Sequence, residues 1–192
     1  MCIDILRAAG GWHIVGILDS QRAPGSTVLG VPVLGVDSDD AFRHMAACGV
    51  GFAACGIGLV ERHHERHRLY QRLKTSGFEL PNLVHPHATV EPSAVMGEGN
   101  QIMAQAVLGS DARIGNGCIV NAGAIVSHDC RLGDHVHIAP GAILAGGVQV
   151  GSNTLIGMGV TIYLRARIGS EVVIVNGVDV HADVKDREIV RS

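Results

Sequence analysis

Aromatic side chains are scarce in this sequence: one Trp, two Tyr and three Phe make up 3% of its 192 residues. Positive charge is not in excess either, because 15 Lys and Arg stand against 18 Asp and Glu, a formal net charge of -3. A chain without a basic surface lacks the electrostatic footprint of a nucleic-acid-binding protein. We therefore expect no nucleic-acid partner.

Long apolar runs are also missing. No segment approaches the roughly 18 consecutive apolar residues of a transmembrane helix, and the first residues do not form a signal peptide. The five cysteines are an odd number and include no Cys-x-x-Cys pair, so they do not make a disulfide framework. The sequence therefore predicts a soluble cytoplasmic protein with reduced cysteines and no membrane insertion.

What the sequence does have is a period of six. From Val84 to Val180 an aliphatic residue occupies every sixth position without a break. The fourth residue after each aliphatic one is small or β-branched, with Asn100 as the polar exception, and glycine often follows the aliphatic residue directly. An α-helix would need spacings of three and four, and a free strand would need strict alternation. A fixed short period instead indicates a solenoid, whose units bury their apolar faces by stacking.

Each six-residue unit is predicted to be one short strand followed by one corner. Three units close a triangular coil of 18 residues, and the 17 units make between five and six coils. The interior of such a prism has room for Ile, Val and Ala but for few aromatic rings, which agrees with the composition. Cys118 and Cys130 occupy the inward small-residue position, where a free cysteine behaves as a small hydrophobe.

The first part of the chain lacks the repeat and alternates between the two element types. Helices are predicted over 3–9, 37–48 and 61–76, and strands over 13–19, 31–34 and 50–55. This alternation predicts a small parallel α/β domain over 1–82, followed by the β-helix domain over 83–192. The basic run over 62–68 is predicted to be a solvated helix face.

Ligands of parallel α/β sheets bind at the carboxyl ends of the strands. Asp19 and Ser20 follow one predicted strand, and Gly58 follows another. A carboxylate in the place of Asp19 can accept a hydrogen bond from a ribose hydroxyl. The sequence thus predicts a ligand site at this edge, with Asp19 as a candidate acceptor for a ribose hydroxyl.

Five segments together resemble one branch of the hexapeptide-repeat acyltransferases: the nucleotide-amino-sugar N-acetyltransferases of the bacillosamine type and the related sialic acid O-acetyltransferases. The resemblance covers nearly the whole chain. The segments are Ile17-Leu18-Asp19, Gly56-Ile57-Gly58, Leu83-Val84-His85-Pro86, residues 121–129 (Asn-Ala-Gly-Ala-Ile-Val-Ser-His-Asp) and residues 133–142 (Gly-Asp-His-Val-His-Ile-Ala-Pro-Gly-Ala).

This resemblance implies a left-handed parallel β-helix preceded by a Rossmann-like α/β domain. It further implies a homotrimer with active sites between subunits, acetyl-CoA as co-substrate, no metal, and a nucleotide-sugar or sugar acceptor. Family members open with a strand and a glycine-rich loop carrying Gly-Gly-His. This sequence begins inside the helix that should follow, so we expect an N-terminally truncated α/β domain. It also stops short of the Gly-Asn-Pro-Ala tail common in the family.

Acyl transfer needs a base for the acceptor and donors for the developing oxyanion. His128 follows the inward Val126 by two positions, so the repeat places it at a corner, pointing outward, where packing gives no reason for a histidine. Histidine exchanges protons near neutral pH, and Asp129 can hold its tautomer. One coil further on, Gly146 and Gly147 leave bare backbone able to offer N–H groups. We predict that His128 and Asp129 are the catalytic pair.

The resemblance assigns the remaining site positions. It implies that Gly146 contacts acetyl-CoA and that His137 lies near the thioester end. Residues implied to hold the cofactor arm in later coils are Met158, Asn176 and Gly177. Asn121 resembles the acceptor contact of the family.

Three alternatives to N-acetylation of a nucleotide-linked amino-sugar stay open. The first is O-acetylation of a sialic acid, and the second is a trimeric scaffold without activity. The third is a zinc enzyme of the γ-carbonic anhydrase type, since His128, His135 and His137 are clustered, although they lack the five-residue spacing of two zinc ligands. The other histidines of interest are expected to face solvent or to be structural: His63, His64, His67, His85 and His87.

Overall fold

The computed structural model describes residues 1–58 and 63–191, without the side chains of His63 and His64. The helices in these ranges are α1 (Cys2–Ala9), α2 (Asp39–Ala47) and α3 (His63–Thr75). The N-terminal strands are β1 (Ile17–Leu18), β2 (Thr27–Val28) and β3 (Val31–Gly35). Strands of two residues then recur every six positions: β4 (Leu83–Val84), β5 (Thr89–Val90), β6 (Val95–Met96), β7 (Gln101–Ile102), β8 (Val107–Leu108), β9 (Arg113–Ile114), β10 (Ile119–Val120), β11 (Ile125–Val126), β12 (Arg131–Leu132), β13 (His137–Ile138), β14 (Ile143–Leu144), β15 (Gln149–Val150), β16 (Leu155–Ile156), β17 (Thr161–Ile162), β18 (Arg167–Ile168), β19 (Val173–Ile174) and β20 (Asp179–Val180), followed by β21 (Ile189–Val190).

The short strands form three parallel sheets that are the sides of a prism. Sheet I contains β4, β7, β10, β13, β16, β19 and β21; sheet II contains β5, β8, β11, β14, β17 and β20; sheet III contains β6, β9, β12, β15 and β18. Residues of neighbouring strands pair at a separation of 18, as in Ile119↔His137. Only the last turn is shorter, because Val173 pairs with Ile189 at a separation of 16. The predicted strand-and-corner unit and the 18-residue coil are therefore confirmed.

The interior of the prism is built from the two predicted inward positions of each unit. The aliphatic residues of the sixfold series and the small residues four positions later form one continuous buried cluster. Cys118 and Cys130 are fully buried in it, and burial raises the pKa of the Cys118 thiol to about 12. Both are therefore protonated packing residues.

Asn100, the polar exception, is also buried, and its Oδ1 accepts the Cys118 N–H at 2.7 Å. Its own N–H donates to Asn82 Oδ1 at 2.9 Å. At the start of the β-helix these two side-chain oxygens therefore serve as acceptors for backbone N–H groups of the following coil.

The glycines that follow the aliphatic residues are explained by the stacking of the coils. A Cβ atom at Gly109 would lie 2.7 Å from the backbone nitrogen of His128, and one at Gly115 would lie 2.8 Å from the carbonyl carbon of Gly133. Such contacts are shorter than any side chain tolerates, so glycine allows neighbouring coils to approach.

A second backbone rule governs the corners. The third residue after the aliphatic one adopts positive φ in most turns. At the corner between sheets II and III these residues are Asp111, Asp129, Gly147 and Arg165, with φ of 57°, 60°, 72° and 59°. Left-handed backbone favours Gly, Asn and Asp, which explains the composition of the corners.

The N-terminal region differs from the prediction in its sheet. The strand predicted over 13–19 is reduced to β1, and β1 pairs with β3 in parallel while β2 pairs with β3 antiparallel, so the sheet is mixed. The strand predicted over 50–55 is wrong: Phe52 makes only an isolated bridge to Glu79. A β-strand needs several consecutive backbone pairs with a neighbouring strand, and among the described residues this segment has one such pair.

The helices agree better with the sequence. Gly10 ends α1 with φ of 71°, and Ser38 caps α2 by accepting the Ala41 N–H at 3.1 Å. Residues 61 and 62 of the predicted third helix lie outside the described residues. None of the helices in the described ranges has the length and apolar character that a bilayer crossing needs.

The N-terminal region packs directly on the β-helix. Ile5 of α1 lies in one buried cluster with Leu83, Met103 and Ile119 of the early coils. Arg66 of α3 is 1% exposed, and its Nε donates to the carbonyl oxygen of Gly117 at 3.0 Å. The prediction of a solvated basic face is therefore wrong for Arg66, although Glu65 and Arg68 are exposed.

Candidate active site

His128 lies at the corner between sheets II and III, directly after β11. Val126 fills the interior, so the chain must turn at the following residues, and this turn leaves the His128 side chain outside the prism. Asp129 takes the left-handed position of the corner, with φ of 60°. The repeat thus fixes the backbone of both residues.

The two side chains form a hydrogen bond. His128 Nδ1 lies 2.7 Å from Asp129 Oδ2, and the side chains are 64% and 61% exposed. A carboxylate oxygen can only accept, so Nδ1 carries the proton and the neutral ring has its lone pair on Nε2. That nitrogen is then able to take a proton from an acceptor.

Gly146 faces the imidazole from the next coil. A Cβ atom at this position would lie 2.5 Å from His128 Cε1 and Nε2. The carbonyl of Gly146 accepts the Arg165 N–H at 3.0 Å, whereas the Gly146 N–H has no acceptor within the described part of the chain. Gly146 thus combines an unpaired N–H with a position beside the His128 ring, and such unpaired backbone N–H groups are the kind of donor that stabilises an oxyanion.

The same corner borders an open cleft of about 630 Å³. Its lining residues come from three successive coils: His128, Asp129, Gly146, Gly147, Tyr163, Leu164 and Arg165. The last three were not predicted. The ring of Tyr163 lies 5.1 Å from that of His181, and Tyr163 and Leu164 are exposed. Two large exposed apolar side chains in a β-helix corner, where small residues prevail, were the sequence signal for this wall.

A second polar group lies at a different corner, between sheets I and II. Asn121 Nδ2 is 3.3 Å from His137 Nε2, and its Oδ1 accepts the Ala122 N–H at 2.8 Å. His137 lies on β13 and is largely buried. The structure therefore groups Asn121 with His137, one coil apart.

The later predicted positions share this corner. Asn176 Oδ1 accepts the Met158 N–H at 2.8 Å, and the Gly177 N–H donates to the Met158 carbonyl oxygen at 2.8 Å. Met158 is exposed. Within one chain, the proposed acetyl-CoA positions thus fall on two edges of the prism: Gly146 on one, and Met158, Asn176 and Gly177 on the other.

The predicted acceptor residues of the N-terminal region are only partly grouped. Asp19 follows β1, accepts the Gln21 N–H at 2.7 Å and lies 3.6 Å from Arg22 Nε. Ser20 and Gly58 are exposed. No hydrogen bond joins Gly58 to Asp19 or Ser20 in the described ranges.

A family model described as bacterial transferase hexapeptide (six repeats) matches residues 93–128 and 129–164. The acetyltransferase domain of PglB from Neisseria gonorrhoeae, in complex with acetyl coenzyme A, is 32% identical with a TM-score of 0.91, and the match covers 100% of this chain and 89% of that one. PerB from Caulobacter crescentus, in complex with CoA and GDP-perosamine, is 37% identical with a TM-score of 0.89, covering 96% and 84%. A search of curated proteins finds no match.

The chain belongs to the hexapeptide-repeat acetyltransferases. A histidine variant of perosamine N-acetyltransferase from Caulobacter crescentus, at 36% identity and a TM-score of 0.91, matches over 98% of this chain and 86% of its own. The predicted family branch and the predicted left-handed β-helix with a small N-terminal α/β region are confirmed by these matches.

Within one chain, His128, His135 and His137 do not converge on one point. Among the described residues no group of three or more His, Cys, Asp or Glu side chains has a metal-binding arrangement. His128 lies at the corner between sheets II and III, His135 at the corner between sheets III and I, and His137 on sheet I itself.

His67 is not a solvent-facing residue. Its ring lies 4.5 Å from the ring of His135, which is 3% exposed and also contacts Tyr70. Burial and the neighbouring His67 lower the pKa of His135 to about 4. His85 Nδ1 accepts the His87 N–H at 3.0 Å, so these two residues pair with each other.

Proposed function

We propose that this protein transfers the acetyl group of acetyl-CoA to the amino group of a nucleotide-linked amino-sugar. The observation that carries the proposal is the His128–Asp129 pair stacked against Gly146, whose N–H has no acceptor among the described residues, on a fold shared along nearly the whole chain with a perosamine N-acetyltransferase. We assign acceptor binding to residues 1–82 together with Asn121, and acetyl-CoA binding to residues 83–192.

In the proposed reaction the acceptor amine attacks the carbonyl carbon of the thioester. His128 Nε2 takes the proton that the amine loses, while Asp129 holds the ring and stabilises the imidazolium. The Gly146 N–H donates to the oxygen on which negative charge develops. The carbon–sulfur bond then breaks, His128 returns the proton to the departing sulfur so that CoA leaves as the thiol, and the amide product remains.

We further propose that the site is completed by a second copy of the chain in a homotrimer. Gly146 and the Met158–Asn176–Gly177 group lie on different edges of one prism, so one chain does not present them to a single ligand. Contact between unlike edges of two copies brings them together, and threefold rotation closes that contact into a ring. Since acetyl-CoA and nucleotide sugars are cytoplasmic metabolites, we infer a cytoplasmic enzyme that serves glycan biosynthesis.

The test is thiol release from acetyl-CoA, followed with a colorimetric thiol reagent. The acceptor panel contains GDP-, UDP- and dTDP-linked 4-amino-sugars and free sialic acid. We expect release with one amino-sugar, and a loss of about a hundredfold or more in His128→Ala, which removes the base. Release with sialic acid alone would identify an O-acetyltransferase, and silence across the panel would favour a scaffold.

A further inference from the structure

Arg66 is the most deeply buried charged side chain among the described residues. It donates to backbone carbonyls of the N-terminal region and of the β-helix. Its Nη1 donates to the carbonyl oxygens of Cys55 at 3.1 Å and Ile57 at 2.6 Å. Its Nε donates to the carbonyl oxygen of Gly117, at the corner between sheets III and I. One guanidinium therefore ties the segment 55–57 to the β-helix.

A second buried donor reaches the same segment. Gln101 of β7 is 3% exposed, and its Nε2 donates to the carbonyl oxygen of Cys55 at 2.6 Å. Cys55 is buried, whereas Gly56, Ile57 and Gly58 are exposed. Arg66 and Gln101 therefore fix the buried start of the segment at Cys55, and residues 56–58 extend from there into solvent.

The direction of these bonds fixes the direction of two amide groups. In a trans peptide the C=O and the following N–H point in opposite directions, and the described residues contain no cis peptide bond. Because the carbonyls of Cys55 and Ile57 point toward Arg66, the N–H groups of Gly56 and Gly58 point away from it. Neither N–H has an acceptor within the described ranges.

Two N–H groups that point the same way from an exposed glycine segment, without acceptors in the described ranges, can donate together to one anion. Glycine leaves the approach open, and no heavy atom lies within 4 Å of a Cβ atom placed at Gly56. The anion available to the proposed enzyme is the diphosphate of its nucleotide-linked substrate.

We propose that Arg66 is a positioning residue that, with Gln101, orients the Gly56 and Gly58 N–H groups toward the diphosphate of the nucleotide-linked amino-sugar. The inference rests on the proposed function, since that function supplies the ligand. Arginine is suited to the task because its planar fork donates to several carbonyls at once. Lysine has a single nitrogen and cannot span Cys55, Ile57 and Gly117 together.

The test compares Arg66→Lys and Gln101→Met with Arg68→Lys, an exposed residue of the same helix. Calorimetry measures the Kd of GDP, UDP and dTDP and, separately, of CoA. We expect Arg66→Lys to weaken binding of the preferred nucleoside diphosphate by about tenfold or more, with the Kd of CoA within about twofold of wild type, and Gln101→Met to do so less strongly. In turnover, KM for the amino-sugar should rise while kcat stays near the wild-type value.

A direct readout comes from selective ¹⁵N-glycine labelling. Addition of the nucleoside diphosphate should shift the amide resonances of Gly56 and Gly58 in wild type and should shift them less in Arg66→Lys. If Arg66→Lys does not fold, Gln101→Met decides. Three results would overturn the inference. A folded variant could bind the nucleotide as tightly as wild type, a variant could lose nucleotide and CoA binding equally, or wild type could fail to bind any of the nucleotides. Nucleotide binding without acetyl transfer would instead overturn the proposed function. The two failures can be told apart because the calorimetric and NMR binding measurements do not require turnover.

Discussion

At the scale of single residues, the candidate site depends on two backbone requirements that have nothing to do with chemistry. Asp129 occupies a left-handed position, and Gly146 faces the imidazole so closely that a side chain there would displace the ring. The identity of each residue is therefore explained both by the backbone and by its proposed catalytic role. A substitution can separate these two explanations only if the new residue fits the same backbone conformation and the same space.

Gly146→Ala is predicted to lower activity without unfolding the protein. The new methyl group meets only the end of the His128 side chain, which can rotate away and so leave the thioester. We expect a loss of activity of about a hundredfold with little change in thermal stability.

Gly109→Ala is the matched control, two coils earlier at the same corner. Its methyl group meets the backbone of Ser127 and His128, which cannot rotate away. We expect a loss of about 2 kcal/mol in the free energy of unfolding, measured by urea titration. If Gly146→Ala destabilised the protein as much as Gly109→Ala, the proposed role of the bare backbone would lose its support.

Asp129→Asn is predicted to keep the fold and lose activity. Asn tolerates the left-handed backbone as Asp does, but it provides no charge to stabilise the imidazolium. We expect kcat to fall by at least tenfold with an unchanged Kd for CoA. Asp129→Gly satisfies the backbone equally and should be no more active, whereas full activity in either variant would show that Asp129 serves the turn alone.

At the scale of elements, α3 attaches the N-terminal region to the β-helix through an interface that is rich in basic groups. His67 and Arg66 face His135 from the helix, and Tyr70 packs on the same ring. Asp134 is the carboxylate that faces His135 among the described residues, and its Oδ1 accepts from the Asn116 N–H at 2.7 Å. The interface therefore has little capacity for another positive charge.

Acid is predicted to weaken this interface. The unfolded chain protonates His135 below a pH of about 6.5, whereas the folded chain does so only when pH falls to its lowered pKa of about 4. The free energy of unfolding should fall between these values, by at most about 3 kcal/mol, and level off below.

The measurement is urea unfolding from pH 7.5 to 4.5 at fixed protein concentration, comparing wild type with His135→Asn. Asn occupies the equivalent left-handed position one coil later, at Asn153 with φ of 59°. The variant should lose less stability on acidification than wild type, while the exposed His13→Asn should follow wild type. Parallel curves for wild type and His135→Asn would exclude His135 as the acid-sensitive group.

The difference in predictability between the two halves has a physical origin. The β-helix could be predicted because each inward residue repeats at a fixed spacing and buries the same kind of surface. The segment 50–55 has the composition of a strand, but strand formation depends on partners that composition does not reveal. Arg66 was misjudged for a related reason: its acceptors are backbone carbonyls, and no charge pattern records them. The His128 corner was located from the repeat, whereas its Tyr163 wall was missed, although large apolar residues at a corner of small ones were its signal.

At the scale of the whole molecule, the distribution of polar groups over two edges of the prism is the feature that matters for function. The proposed base, His128, lies on the edge between sheets II and III, and Asn121 with His137 lies on the edge between sheets I and II. Sheet II separates them in every copy. If the proposed site needs both, it must use edges from two copies, and we expect activity to be a property of the assembly.

Mixed assemblies of two inactive variants test this arrangement. His128→Ala lacks the base and Asn121→Ala lacks the proposed acceptor contact, so each homotrimer should retain less than about a tenth of wild-type activity. Co-expression of the two gives random trimers in which a site is intact only when an Asn121→Ala chain supplies His128 and its neighbour supplies Asn121. The product of two probabilities of one half predicts recovery of about a quarter of the sites. If both residues acted from the same chain, no mixed trimer would contain an intact site, and the mixture would stay as inactive as its parents.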